Sequence, residues 1–590
     1  MLLLAPFPQE AVLLLCLFHL TLAATDPPSD PPLATTLNGT YYGVHSPHFQ
    51  QDLFLGIPYA QSTSGTNRFR LPQSLNTSWP SPIPATRYGH ACPDFTPEDD
   101  DLWGMSETCL SINIIRPSSV SLHDPPLPVL FWIHGGAYQV GTSGLDRYNL
   151  SYIVRHSQEI GKPIIGVSIN YRKGPWGFLY SDQVQGSGQT NLGLRDIHLA
   201  LRWVQENIAG FGGNQGKVTI WGESAGSFAV GQLVLAYAGD LGAQGLFHRS
   251  IQQSGSASTA WYNGSVWYQG MYDGIVTRAK CQDARDTLDC LRGVEYKEMF
   301  EILTRRGVGK DGKGPGFYPV VDGDLIPLYP TQLLEEGRFA HVPHLLGTNS
   351  DEGTDNTQGV KIDNDDEMYE HLMNARGFNY PEGMVRRLME LYADDPSQGI
   401  PLNTGEERFE EFGGKQYKRA AAIVGDVFYH APRLQDARAY ARYQDDTFVY
   451  RFNTRAWTPF VPLAPEAYVG VEISCVDGVC GTLGPAHEGV AHATELAFVF
   501  GNPGWLGPWK QWEELSREIQ TSWINFAYDG NPNGNHNGRS IPLWPRYGDQ
   551  KQGLNMVLQT EEQGGWAVEQ DTFRLEGREE MIRWVRRRKV

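Results

Sequence analysis

Apolar runs and amphipathic stretches alternate along most of this chain. Residues 128–133 (PVLFWI) and 164–170 (IIGVSIN) are largely apolar, which is typical of strands covered on both faces of a parallel sheet. Residues 191–208 carry apolar side chains at helical spacing and predict an amphipathic helix. Strands that alternate with helices in this way predict an α/β protein, in which a large, mostly parallel sheet carries helices on both faces.

A serine lies in the tight connection between another strand and another helix. Residues 218–221 (VTIW) predict a short strand, residues 225–238 predict a helix, and GESAG joins them at 222–226. This segment matches G-x-S-x-G, in which the serine occupies a sharp turn with its hydroxyl exposed above the sheet. The helix that follows offers free N–H groups to a developing oxyanion. The pattern predicts Ser224 as a nucleophile; a glycine-rich turn without catalysis is the alternative interpretation.

A second glycine motif follows the buried strand at 128–133. His134 precedes Gly135 and Gly136, and consecutive glycines free the backbone to turn its N–H groups toward a ligand. The N–H of Ala225 can converge on the same point from the serine turn, which would form an oxyanion hole. The two motifs together indicate an acyl-transfer site.

A serine nucleophile also needs a general base within hydrogen-bond reach and a carboxylate that orients the base. In proteins with this serine turn, the acid follows the serine along the chain and the histidine comes last. Asp351 and Glu352 follow a strand-like run, and His487 and His492 lie in a loop before a helix-like segment. The residues alone leave both pairs of alternatives open.

The composition is that of a globular protein, with 41% hydrophobic and 19% charged residues among 590. Acidic residues outnumber basic ones, 67 against 48, and the net charge of −19 opposes binding to nucleic acid or anionic lipid. Length alone suggests about four domains. No repeat, linker or change in composition divides the chain, however, so we predict one catalytic domain over residues 25–590.

Residues 1–24 are predicted to be a secretory signal peptide. Their apolar part, 11–22, is shorter than a membrane span and precedes Ala23 and Ala24, near which we expect cleavage, although the first ten residues lack Lys and Arg. No later apolar run is long enough to span a bilayer, and the basic end IRWVRRRKV argues against a stable membrane anchor. The sequons predict glycosylation at Asn38, Asn76, Asn149 and Asn263. These features predict a secreted, extracellular glycoprotein.

The cysteines fit an oxidising compartment. One of the seven, Cys16, lies in the predicted signal peptide. The other six form three close pairs along the chain, Cys92 with Cys109, Cys281 with Cys290, and Cys475 with Cys480. Near neighbours are the simplest disulfide partners, although six cysteines allow other pairings. Their spacing does not suit zinc, so we predict disulfides rather than a metal site.

Many further segments occur along the chain in a fixed order. They are FLGIPYA, SETCLSINIIRP, FWIHGGAY, VSINYRKGPWGFL, NLGLRDIHLALRWVQENIAGFGGN, VTIWGESAGSFAVG, HRSIQQSGS, GTNSDEGT, AHATELAFVFGNP, FAYDGNPN and LWPRY. In these segments the chain resembles the type-B carboxylesterase and lipase family, which includes cholinesterases and secreted fungal lipases. The variant SETCLSIN makes it most similar to the secreted fungal branch, and the resemblance implies the α/β-hydrolase fold.

The resemblance also implies roles for individual residues. It makes Ser224 the nucleophile, Glu352 the triad acid and His492 the base, and it gives Gly135, Gly136 and Ala225 the oxyanion hole. Glu223 would support the charged imidazole, with a structural hydrogen bond as the alternative. Bridges between Cys92 and Cys109 and between Cys281 and Cys290 match the family, whereas the pair Cys475 and Cys480 has no counterpart there.

Taken together, these observations predict a secreted serine carboxylic ester hydrolase that forms an acyl-enzyme with a small-molecule or lipid ester and needs no cofactor. The alternatives are a triacylglycerol or sterol-ester lipase, an acyltransferase with the same site, and a non-catalytic adhesion homologue. Four consecutive acidic residues at 98–101 argue against an apolar lid. Trp103 is a candidate for cation binding, and Trp261 and Tyr262 for the acyl pocket, each with ordinary packing as the alternative.

Overall fold

The secondary structure alternates between strands and helices as the sequence predicts. The computed structural model describes residues 30–95, 104–259, 264–304, 316–374, 381–444, 446–459, 474–476, 479–536 and 541–587. Within these ranges the strands are β1 (Leu33–Thr35), β2 (Thr40–Tyr42), β3 (Val44–Ser46), β4 (Gln51–Pro58), β5 (Ile83–Pro84), β6 (Ser111–Pro117), β7 (Leu127–Ile133), β8 (Ile165–Ile169), β9 (Gly213–Glu223), β10 (Arg249–Gln253), β11 (His344–Asn349), β12 (Thr447–Phe452), β13 (Trp457–Pro459), β14 (Ser474–Val476), β15 (Val479–Leu483), β16 (Leu554–Leu558) and β17 (Ala567–Gln570).

The α-helices of the same ranges follow or precede these strands. They are α1 (Ser151–Glu159), α2 (Gly174–Phe178), α3 (Asp182–Gly186), α4 (Leu192–Asn207), α5 (Ala225–Leu235), α6 (Asp240–Ala243), α7 (Ser265–Arg278), α8 (Thr287–Gly293), α9 (Tyr296–Thr304), α10 (Pro330–Glu335), α11 (Thr354–Thr357), α12 (Asp365–Asn374), α13 (Glu382–Leu391), α14 (Glu410–Gly413), α15 (Tyr417–Gly425), α16 (Ala431–Tyr443), α17 (Leu496–Phe500), α18 (Pro503–Leu506), α19 (Lys510–Asp529) and α20 (Leu575–Arg587). A π-helical turn, Asp426–His430, joins α15 to α16.

One large sheet dominates the molecule. Eleven of the described strands form it in the order β17-β16-β12-β11-β10-β9-β7-β8-β6-β4-β3. The strands from β16 to β8 in this order run parallel, whereas β17 at one edge and β6, β4 and β3 at the other pair antiparallel. The carboxyl ends of neighbouring parallel strands meet at one edge of a sheet. The residues that follow β9, β10 and β11 are therefore neighbours there.

Helices cover both faces of this sheet. In β7, Val129, Phe131 and Ile133 pack into the core on one face, and Leu130 and Trp132 pack into the core on the other. Helices α4, α5 and α16 contribute to the first core, and α1, α17 and α19 to the second. Because both sides of the strand are buried, its sequence is apolar throughout, as in other covered parallel strands.

The predicted elements agree with the observed ones to within a few residues. The predicted strands at 128–133 and 164–170 are β7 and β8, and the predicted helix at 191–208 is α4. The predicted strand at 218–221 is the carboxyl-terminal part of the longer β9. The predicted helix at 225–238 ends as an α-helix at Leu235, and a 3₁₀ turn follows it. The α/β prediction is therefore confirmed.

Two of the three predicted disulfides are present. Cys92 is bonded to Cys109 and Cys281 to Cys290. Cys475 and Cys480 lie opposite each other in the register of the β14–β15 hairpin. A bridge between this third pair remains a prediction. Among the described residues, no helix combines the length and the hydropathy that a bilayer crossing requires.

Candidate active site

Ser224 occupies a strained turn between β9 and α5. Its backbone angles are φ 53° and ψ −124°, and its N–H donates to the carbonyl oxygen of Gln253 at 2.9 Å. A Cβ at Gly226 would lie 2.0 Å from the carbonyl oxygen of Ile133, so only glycine allows this turn to pack against the end of β7. Strain of this kind is typical of functional sites, where the surrounding structure compensates for it.

The two-glycine loop after β7 lies directly beside the serine. A Cβ at Gly135 would come within 3.1 Å of the Cβ of Ser224. Gly136 has φ +104°, and its carbonyl oxygen accepts from the N–H groups of Gln139 and Val140 at 2.9 and 3.0 Å. Ala225 begins α5, and the N–H groups of a first helical turn lack an acceptor within the helix. The backbone N–H groups of Gly135, Gly136 and Ala225 thus belong to two adjoining turns next to Ser224.

A continuous hydrogen-bonded chain links the serine to a histidine and a carboxylate. His492 Nε2 lies 2.8 Å from Ser224 Oγ, and His492 Nδ1 lies 2.7 Å from Glu352 Oε2. Glu352 is fully buried, and its other oxygen accepts from Ser254 Oγ at 2.5 Å and from the N–H of Asn349 at 2.7 Å. These two bonds fix the carboxylate in the orientation that faces the imidazole.

The alternative candidates, Asp351 and His487, make other contacts. Asp351 accepts from the N–H groups of Leu402 and Val490 at 2.9 and 2.8 Å, and so connects the acid loop to the histidine loop. His487 stacks on Phe412 with 3.4 Å between ring centroids. The structure therefore brings Glu352 and His492 to Ser224, and it places Asp351 and His487 in supporting contacts.

Two further buried carboxylates surround the same histidine. Glu223 Oε1 lies 3.2 Å from His492 Nε2, and burial raises the pKa of Glu223. Glu495 accepts from Gln253 Nε2 at 3.0 Å and from Asn349 Nδ2 at 2.7 Å. Burial, together with the charges of Glu223 and Glu352, raises the pKa of Glu495 to about 8. At neutral pH Glu495 therefore keeps its proton.

Glu352 and His492 shift each other's pKa through their opposite charges. Burial raises the pKa of Glu352, but the charge of His492 and hydrogen bonds from His492 and Ser254 outweigh it and hold the pKa below its usual value. Burial likewise lowers the pKa of His492, and the carboxylates of Glu223 and Glu352 outweigh it and raise the pKa. The site therefore stabilises a positive imidazolium.

An aromatic ring covers one face of the His492 imidazole. The Tyr429 ring stacks on His492 with 4.6 Å between centroids and 29° between planes. Tyr429 belongs to the π-helical turn, and such turns occur frequently at functional sites. The face of an aromatic ring attracts a cation, so Tyr429 also favours the charged imidazole.

The sequence does not identify Ser254, Tyr429 or Glu495 as residues of the site. Glu495 follows His492 by three positions and precedes an apolar run, which is an unusual place for an unpaired acid. Ser254 follows β10, at the edge where the neighbouring strands also end. Tyr429 had no sequence signal, because its contact with His492 depends on a local helical irregularity.

Some of the other residues singled out by the sequence analysis lie outside the described ranges. Trp103, Trp261, Tyr262, the sequon Asn263 and the acidic run at 98–101 are all outside them. Asn76 is exposed, whereas Asn38 and Asn149 are half-buried. The Asn38 amide donates to the Thr77 carbonyl at 2.8 Å, and the Asn149 side chain accepts from the Ser151 N–H at 3.0 Å.

Known proteins are similar to this chain in sequence and in fold. The chain belongs to the Carboxylesterase family, whose model matches residues 31–574. A secreted triacylglycerol lipase of Gibberella zeae is 30% identical over 87% of this chain and 84% of the lipase. An acetylcholinesterase of Danio rerio is 32% identical over 92% of this chain and 87% of its own length.

A solved structure supports the same assignment. The crystal structure of Aspergillus niger EstA superimposes with a TM-score of 0.75 and 26% identity, and the match covers 93% of this chain and 98% of EstA. The family and the secreted fungal relatives confirm the predicted resemblance and the α/β-hydrolase fold. The protein is a carboxylic ester hydrolase.

Proposed function

We propose that the protein is a secreted serine esterase that works through an acyl-enzyme, with Ser224, His492 and Glu352 as its catalytic triad. The observation that carries the proposal is the chain of hydrogen bonds, 2.8 Å from Ser224 Oγ to His492 Nε2 and 2.7 Å from His492 Nδ1 to Glu352. These contacts are those that a serine nucleophile, a general base and an orienting acid require.

The proposed reaction begins when Ser224 Oγ attacks the ester carbonyl carbon and its proton passes to His492 Nε2. The N–H groups of Gly135, Gly136 and Ala225 hold the resulting oxyanion, a contact that typically lowers the barrier by about 3 kcal/mol for each donor. The tetrahedral intermediate then breaks its bond to the alcohol, which leaves with the proton from His492. Water attacks the acyl-enzyme in the same way, and the acid is released.

The surrounding carboxylates act on the imidazolium that forms in both steps. Glu352 pairs with Nδ1, and Glu223 lies 3.2 Å from Nε2. Both charges favour the transition state over the neutral ground state, because only the transition state carries the positive imidazole. Glu223 is thus a supporting residue.

The direct test is Ser224→Ala, with short p-nitrophenyl esters as substrates. We expect kcat to fall by about 10⁶-fold and the protein to stay folded, as for other triad serines. A fluorophosphonate probe should label the unmodified protein at Ser224 and leave the variant unlabelled. Ser227→Ala is the control, since Ser227 Oγ lies in the same helix and donates to the Gly255 carbonyl. Full activity of Ser224→Ala would overturn the proposal.

A triacylglycerol lipase is the second candidate, because a fungal relative carries that name. A panel of esters that varies in acyl length and in the bulk of the alcohol separates the two. We expect the highest kcat/KM for soluble esters; a sharp rise in rate above the solubility limit of the substrate would identify a lipase. Added short alcohols that compete with water would reveal an acyltransferase through new ester products.

We also propose that residues 1–24 are removed on export and that residues 25–590 form one extracellular catalytic domain. The disulfides Cys92–Cys109 and Cys281–Cys290 support this location, since disulfides persist in oxidising compartments. Exposed Asn76 is better placed for a glycan than half-buried Asn38 and Asn149. Glycosidase treatment of secreted protein should lower its apparent mass, and N-terminal sequencing should begin near Thr25.

A further inference from the structure

A network of charges, most of them buried, lies beside the active site, and we call it the arginine network. It consists of four guanidinium groups and three carboxylates, from Arg433, Arg451, Arg574, Arg578, Asp426, Glu569 and Asp571. Its members come from the π-helical turn, α16, β12, β17, the segment that leads into α20, and α20 itself.

Each carboxylate of the network is fully engaged. Arg574 donates two bonds of 2.7 Å to Asp426, and Arg451 donates two bonds of 2.8 Å to Glu569. Asp571 accepts from Arg433, and at 2.7 Å from Arg578. Asp571 also accepts from Tyr547 Oη at 2.8 Å. Its pKa lies far below the usual value, because Arg433 and Arg578 outweigh the effect of burial. The carboxylates therefore have little capacity left for further donors.

A small cavity of about 20 Å³ opens within the network. Arg433, Arg578, His430 and Asn555 are among its lining residues. Among the described residues, none is a hydrogen-bond partner for Arg433 Nε, Arg578 Nε or His430 Nε2, although each of these atoms is buried. The Asn555 amide, turned by 180° about its last bond, would present a further N–H group. Buried donors without an acceptor are costly, so this concentration of them indicates a ligand that accepts hydrogen bonds.

The charges of the network do not balance. Four guanidinium groups cannot lose their protons at any physiological pH, and three carboxylates oppose them. The next carboxylate, Asp351, interacts with Arg574 and Arg451 through its charge, but the hydrogen bonds it accepts come from the backbone N–H groups of Leu402 and Val490. Among the groups joined by hydrogen bonds, the guanidinium groups thus exceed the carboxylates by one, and Asp351 offsets this excess only from a distance. Burying an incompletely compensated charge is unfavourable.

We propose that this cavity binds one monovalent anion of about the size of chloride. Such an ion balances the excess of guanidinium groups and accepts hydrogen bonds from N–H groups in several directions at once. A cavity of about 20 Å³ admits a single small ion and is too small for a sulfate or a carboxylate ligand.

The anion would also fix the geometry of the active site. His430 lines the cavity, and its Nδ1 lies 3.1 Å from Thr348 Oγ1 in β11, the strand that leads to Glu352. His430 directly follows Tyr429, whose ring covers His492. An ion bound beside His430 therefore stabilises the π-helical turn on the side away from His492. It is a structural ligand and takes no direct part in the chemistry.

The first test compares halides with a large anion. Thermal unfolding of the full protein is followed in sodium chloride, sodium bromide and sodium gluconate at constant ionic strength. We expect the midpoint to rise with chloride and with bromide to a plateau, by about 2 °C, because a ligand that binds only the folded state stabilises it. Equal midpoints in halide and gluconate would overturn the proposal.

The second test locates the ion. Crystals grown in sodium bromide should show an anomalous bromide peak in the cavity beside Arg433 and Arg578; a water molecule at that position would overturn the proposal. Asn555→Asp supplies a fixed negative charge at the cavity and should abolish the halide effect. Arg583→Gln, which removes an exposed charge from the same helix as Arg578, should retain it. A halide effect that persists unchanged in Asn555→Asp would place the ion elsewhere and overturn the assignment.

Discussion

Two buried charged clusters adjoin each other at the carboxyl end of the sheet, and they are built in opposite ways. Around His492, the carboxylates of Glu223, Glu352 and Glu495 surround one imidazole. In the arginine network, four guanidinium groups surround three carboxylates. The first cluster therefore has an excess of acid and the second an excess of base.

The difference lies in which groups can change their charge. In the first cluster, the excess of acid raises the pKa of His492 and keeps a proton on Glu495, so protons are redistributed within the cluster. In the second, guanidinium groups keep their protons, so the excess is balanced by negative charge, from Asp351 at a distance and from the proposed anion. The first arrangement suits proton transfer, and the second suits a rigid support for the loops that carry the catalytic groups.

Among changes that compare the two clusters, Glu352→Gln should have the largest effect, and it should act on catalysis. The amide keeps the bonds from Ser254 and Asn349 but presents an N–H group to His492 Nδ1. The imidazole must then carry its proton on Nε2, where it cannot accept the proton of Ser224. We expect kcat for p-nitrophenyl esters to fall by about 10⁴-fold, as for the equivalent change in other triads.

Asp351→Asn is the matched control for this change. Asp351 precedes Glu352 and accepts two backbone N–H groups, but it does not touch His492. Its replacement should lower kcat by less than tenfold. Comparable losses in the two variants would contradict the assignment of Glu352 as the triad acid.

Asp571→Asn should act instead on stability. Removal of this carboxylate leaves Arg433 and Arg578 buried without their counter-charge, which typically costs about 3 to 5 kcal/mol. The midpoint of denaturant unfolding should fall accordingly, while kcat of the folded enzyme stays nearly constant. Glu382→Gln breaks an exposed pair with Arg386 and should cost less than about 1 kcal/mol. If both variants unfold at the same denaturant concentration, the network does not support the fold.

The sequence predicts the fold better than it predicts these clusters. Strands β7, β8 and β9 and helices α4 and α5 follow from local apolar patterns, and the turn at Ser224 follows from its glycines. The acid and the base remained ambiguous until the resemblance to a family distinguished Glu352 from Asp351 and His492 from His487. Those choices depend on which of two carboxylates faces the histidine and which of two loop histidines faces the serine, and local patterns do not contain that information.

The arginine network shows the same limit more strongly. Arg433 and Asp571 are 138 positions apart, and neither lies in a recognisable motif. Each resembles an ordinary surface charge until the fold buries it. Contacts of this kind arise from topology, so they become visible only in the structure.

Glu495→Gln should have the smallest effect on activity and a distinctive effect on stability. Because burial and the neighbouring carboxylates raise the pKa of Glu495 to about 8, its side chain is neutral at pH 7. Glutamine is a neutral side chain of the same shape that keeps one of the two bonds from Gln253 and Asn349. In the unfolded chain the pKa of a glutamate is about 4.3. Between these two pH values the folded state binds one more proton than the unfolded state, so this group makes the protein less stable as the pH rises. Glutamine does not titrate. As the pH rises through that window, the free energy of unfolding of the variant should therefore increase relative to that of the unmodified protein, by up to about 1.4 kcal/mol per pH unit.

Denaturant midpoints measured from pH 5 to pH 8 check this expected stability effect of Glu495→Gln directly. A difference in the free energy of unfolding that does not change with pH would mean that Glu495 is charged beside His492. The two clusters would then not differ in their ability to hold an extra proton.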